Sequence, residues 1–165
     1  MIDKQGGSVV DVTIWQVTQI APPDSIEMAI RPDSPYKDGF LRICGDTTPY
    51  VDAVSPNLLR IKHATAGDYK IGADSPIAAL TALYGKTRLT IAGPKVDGDY
   101  PEGASWHGFP VEIWNSGTKD GDYNELELLS PIRVLKSGEN YHYTVTWALS
   151  REQEETSISA IKLLR

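Results

Sequence analysis

The stretch Val111-Glu112-Ile113-Trp114-Asn115, followed after a turn-rich gap by Tyr123-Asn124-Glu125-Leu126-Glu127-Leu128-Leu129, decides how this chain folds. Its period is two. Val111 and Ile113 share one side, opposite Glu112 and Trp114. Leu126 and Leu128 share one side, opposite Tyr123, Glu125 and Glu127. Successive side chains of a strand point to opposite faces, so this alternation predicts two half-buried strands. Joined as a hairpin across Ser116–Asp122, they must align their apolar faces, because a slip of one residue turns the leucines to water. One allowed register sets Trp114 opposite Glu125 and Glu112 opposite Glu127.

The same period runs through the rest of the chain. Val9–Ile20 reads as one long strand rich in β-branched residues, ended by Pro22-Pro23-Asp24. Ile26–Ile30, Phe40–Cys44, Leu58–His63, Ile77–Leu83, Thr87–Ala92 and Ile132–Leu135 read as further strands. Tyr84-Gly85-Lys86 is a hairpin turn, with glycine where a positive φ is needed. Asn140–Leu149 reads as a last strand with Tyr141, Tyr143, Val145 and Trp147 on one face and His142, Thr144 and Thr146 on the other. Many strands at short spacing predict an all-β antiparallel sandwich. It is assigned to residues 1–149, with 150–165 as a tail. There Ser150 and Gln153 fit a capping box, and Ile158, Ile161 and Leu164 recur at helical spacing, although Ser157 and Ser159 also fit a strand.

Composition narrows the function classes. A chain of 165 residues is long enough for one domain with its own core. Sixteen Lys and Arg against 22 Asp and Glu leave a net charge of −6, without the basic footprint that nucleic acid requires. No apolar run reaches the roughly 18 residues of a membrane span, and no signal peptide is visible at the start, so a cytoplasmic location is expected. Cys44 is the single cysteine, which excludes an internal disulfide and a cysteine-rich zinc site. Lys119-Asp120-Gly121-Asp122 lacks the spaced oxygen ligands of a calcium loop, and no glycine-rich phosphate loop precedes a helix. No metal or cofactor is expected.

The candidate site is the polar face of the central hairpin: Glu112, Trp114, Tyr123, Glu125 and Glu127, with His142 from the last strand. Flat aromatic rings stack on the C–H faces of sugars, and carboxylates accept from sugar hydroxyls. The same face is also what an antiparallel sheet presents to water, and both readings stand. Trp106 and His107, on the loop Gly93–Gly108, are ligand contacts or a plug over the core. Arg60, Lys62 and Arg88 line an anion groove or solvate sheet faces.

Several of these segments carry a resemblance. Asp68-Tyr69-Lys70-Ile71-Gly72-Ala73-Asp74-Ser75-Pro76, Tyr100-Pro101-Glu102-Gly103, the two central strands continuing through Ser130-Pro131, Leu135-Lys136-Ser137-Gly138-Glu139 and Thr144-Val145-Thr146-Trp147 follow one another in order, and Ile14-Trp15-Gln16-Val17-Thr18-Gln19 precedes them. From about Val9 to Leu149 the chain resembles an uncharacterised bacterial family of the galactose-mutarotase-like superfamily, in the later part of its domain. That resemblance implies a supersandwich with a sugar groove across one sheet. It also places Glu127, within Leu126-Glu127-Leu128, at the position of the general base of aldose 1-epimerases, with Glu125 raising its pKa by like charge. The epimerase histidine acid, in an Asn-His-x-Tyr/Trp-Asn type motif, has no counterpart: His63, His107 and His142 have other neighbours. The expectation is therefore a non-catalytic carbohydrate-binding protein. The alternatives are a sugar epimerase with Glu127 as base, and a structural module whose shortened sheets pair between subunits as a homodimer.

Overall fold

A computed structural model describes residues 1–101, 108–118 and 121–151 of the chain. The elements are β1 Ile2–Asp3, β2 Val10–Val12, β3 Trp15–Ile20, β4 Ser25–Ala29, β5 Leu41–Cys44, β6 Val51–Ser55, β7 Leu58–Ile61, β8 Tyr69–Ala73, β9 Ala79–Tyr84, β10 Thr87–Ala92, β11 Val111–Asn115, β12 Asn124–Leu129, β13 Arg133–Leu135, β14 Asn140–Tyr141 and β15 Thr146–Arg151. Every pairing is antiparallel. Among the described residues there is no helix, hence none long and apolar enough to cross a membrane.

Two sheets build the sandwich. One has five strands in the order β3-β12-β11-β8-β5, the other six in the order β15-β10-β9-β4-β7-β6. The alternation read from sequence sets their inner faces. Val111, Ile113, Leu126, Leu128 and Ile71 from the first sheet meet Ile26, Met28, Ile61, Leu80 and Ile91 from the second in one buried cluster. The pairs β1-β14 and β2-β13 form two further, two-stranded sheets. The predicted all-β antiparallel sandwich is what forms. The central hairpin takes the expected register, with Trp114 opposite Glu125 and Glu112 opposite Glu127. Gly85, at φ 56°, makes the tight β9-β10 turn.

The structure corrects three readings. The run Val9–Ile20 is two strands, not one. Ser130 reaches in at the break: its Oγ accepts from the Ile14 N–H at 2.8 Å, and its carbonyl accepts from the Thr13 hydroxyl at 2.7 Å. β2 then pairs with β13 and β3 with β12. Asn140–Leu149 is likewise divided. β14 pairs with β1, while β15 joins the six-stranded sheet against β10. His142, exposed between them, therefore lies outside the sheet of the central hairpin. Ser150 sits inside strand β15 rather than at a helix start, and the remainder of the expected helix, from residue 152, lies outside the described residues.

Candidate functional site

The outer face of the five-stranded sheet follows from its ladders. One row across four strands reads Gln19, Glu125, Trp114 and Lys70. The next row reads Val17, Glu127, Glu112 and Gly72. Trp15 continues β3 one step further, opposite Leu129. Sequence alternation placed Glu112, Trp114, Glu125 and Glu127 on one face, and they do share it. Tyr123 joins them: its ring meets Trp114 edge-on with centroids 5.7 Å apart. Trp106 and His107 lie outside the described residues.

Glu112 and Glu127 are 3% and 1% exposed, so both carboxylates have lost most of their water. A buried charge must be paired, and Lys70 supplies the partner. Its Nζ lies 2.7 Å from Glu112 Oε2 and 2.9 Å from Glu127 Oε2. Burial opposes the ammonium, but the hydrogen bonds and charges of the two carboxylates outweigh it and raise the Lys70 pKa. One ammonium cannot offset two carboxylates. Burial above all, aided by the charge of Glu112, raises the Glu127 carboxyl above its ordinary value, while Lys70 and the Trp15 hydrogen bond pull the other way. The like charge acting on Glu127 is thus its cross-strand neighbour Glu112, not Glu125. Glu125 points its Oε1 to Gln19, whose Nε2 donates to it at 2.9 Å.

Trp15 and Lys70 were not singled out as site residues, yet they organise the face. Trp15 Nε1 donates to Glu127 Oε2 at 2.7 Å, and Lys70 Nζ stands 4.7 Å from the centroid of the Trp15 ring. A cation over an aromatic face is attractive by about 0.5–2 kcal/mol. The indole is therefore held at its N–H and on its ring, while Trp15 remains 55% exposed. Glu127 Oε1 is buried without a hydrogen-bond partner among the described residues. The available signal was the alternation Tyr69-Lys70-Ile71-Gly72-Ala73, which puts Lys70 on the face opposite Ile71. On this same outer face, over Gly72, the ring of Phe109 fills the space a Cβ would need.

The other candidates are tied up elsewhere. Arg60 and Arg88 both pair with Glu27 on the six-stranded sheet, at 2.7 and 2.8 Å, and Lys62 pairs with Asp52. His63 lies between Asn124 Oδ1 and Asp122 Oδ1, at 2.7 and 2.6 Å. No group of His, Cys, Asp and Glu among the described residues is arranged to hold a metal ion. A groove of about 540 Å³ opens between the loop around Arg31–Phe40 and the β6-β7 hairpin, lined by Arg42, Thr48, Val51 and Leu59 among others; no residue of the polar face lines it. Compared with protein-family models, curated proteins and solved structures, the chain gives no match.

Proposed function

We propose that the outer face of the five-stranded sheet binds a carbohydrate without transforming it. The observation that carries this reading is Trp15: a tryptophan fixed by Glu127 and Lys70 yet 55% exposed. A ring with a purely structural task on this sheet would be covered. A ring that is held and left open is preorganised for a flat partner, and preorganisation lowers the entropic cost of binding. Sugar C–H faces stack on such rings. Lys70 stands against the ring, and Glu125 with Gln19 lies two rows further along the same face, offering an acceptor and an amide to hydroxyl groups. The resemblance to the galactose-mutarotase-like superfamily points to the same ligand class.

The arrangement favours binding over ring opening. A general base for mutarotation must reach the anomeric hydroxyl. Glu127 is 1% exposed and its Oε2 is engaged by Trp15 and Lys70, so its task is to hold the ring and the ammonium. Titration with a panel of neutral and acidic sugars followed by tryptophan fluorescence tests the proposal. A saturable change is expected in the wild type, and a change at least about tenfold weaker in affinity in Trp15→Ala, corresponding to a ~1.4 kcal/mol loss. Absence of any response across the panel contradicts it.

A further inference from the structure

β15 closes one end of the six-stranded sheet, and its outer edge has no strand partner among the described residues. Trp147 pairs with Ile91 and Leu149 with Leu89, so both side chains lie on the face that builds the core. They are nevertheless 59% and 75% exposed, and all six residues of the strand are open. The other edges of the two large sheets differ. The ladders of β5 and β6 carry register shifts, between Arg42 and Cys44 and between Ala53 and Ser55. Such irregularities blunt an edge against pairing. On β3, the core-facing Thr18 and Ile20 are only 5% and 9% exposed. β15 alone combines an unbroken ladder, no proline, no charge before Arg151, and uncovered apolar side chains on its inner face.

We propose that β15 pairs antiparallel with β15 of a second copy of this chain about a two-fold axis at Ala148. The strand is self-complementary in that register. Trp147 stands opposite Leu149 of the second copy and Leu149 opposite its Trp147, giving two aromatic–aliphatic pairs on one face. Thr146 meets Ser150, and Arg151 meets Val145, so no like charges oppose. An unrelated strand would have to bring its own matching apolar pair; symmetry supplies it here. The result is one sheet continuous through both copies, with each copy's Trp15 face left free.

Light scattering on the full chain, across a dilution series, reads the outcome. The wild type is expected at twice its 18.1 kDa at the concentrated end. The double variant Trp147→Lys/Leu149→Lys, which sets like charges directly opposite each other in that register, is expected at the single-chain mass with an unchanged far-ultraviolet circular dichroism spectrum. The register has its own readout. In a Cys44→Ser background, which removes the exposed native thiol, Ala148→Cys forms an interchain disulfide on mild oxidation and Ser150→Cys does not. A wild type that stays monomeric throughout overturns the proposal. So does a dimer that survives the double variant, or cross-linking that is equal at the two positions.

Discussion

Lys70 is one ammonium shared between two carboxylates that water barely reaches, and this determines how the polar face responds to substitution. Removing it in Lys70→Met leaves Glu112 and Glu127 facing each other with no counter-charge. Breaking a buried pair in this way costs about 3–5 kcal/mol. Urea denaturation at neutral pH is expected to show that loss, and the loss shrinks in acid, where protonation removes the repulsion. Glu127 carries a separate pH signature. Its carboxyl is raised above the ordinary 4.5 by burial first and by Glu112 next. The folded chain therefore keeps a proton that the unfolded chain releases at lower pH. The stability this gives is full below the unfolded value and is lost as pH rises through the folded one. Thermal unfolding from acid to neutral pH should show the wild type losing stability relative to Glu127→Gln.

At the scale of elements, a buried amide network joins the two sheets. Asn115 on β11 accepts from the Ala64 N–H at 3.0 Å and donates to the Ala64 carbonyl at 2.9 Å. Ala64 follows β7, so these bonds run from one sheet to the other. With Asn115 oriented by that backbone, its Oδ1 also accepts from Asn124 Nδ2 at 3.1 Å, which turns Asn124 Oδ1 toward His63 Nδ1. Each polarity follows from the one before it. Asn115→Asp keeps the shape but turns an acceptor toward the Ala64 and Gly67 carbonyls. The expected cost is about 3–5 kcal/mol at neutral pH, the penalty of an uncompensated buried charge. Chemical denaturation measures it, and a loss below 1 kcal/mol would mean that water satisfies the site.

The elements also show what the sequence could and could not reveal. The β11-β12 register was legible because apolar and polar residues alternate without interruption, leaving few ways to bury both leucines. The β9-β10 turn was legible because Gly85 supplies the φ that the turn demands. The break after Val12 was not, since alternation continues across it and the cause, Ser130, is 116 residues away from Ile14. The division of Asn140–Leu149 was missed for the same reason: its halves are claimed by β1 and β10, strands of different sheets. Lys70 and Trp15 escaped notice as site residues because their meaning lies in Glu127, 57 and 112 residues on. A charge or ring on a strand acquires a role only once the ladder order is known.

For the whole molecule, the sandwich separates its faces by task. The inner faces form the shared core, and the outer face of the six-stranded sheet is knit by Glu27 between Arg60 and Arg88. The outer face of the five-stranded sheet holds an open tryptophan against the Glu127 carboxylate and the Lys70 ammonium, with Gln19 and Glu125 further along the same face. Backbone amide chemical-shift mapping with a sugar panel tests most directly whether that face binds carbohydrate. Saturable shifts clustered on β3, β8, β11 and β12, together with the Trp15 indole N–H, are predicted for at least one sugar. No saturable shift with any sugar, or shifts confined to the six-stranded sheet, would contradict it.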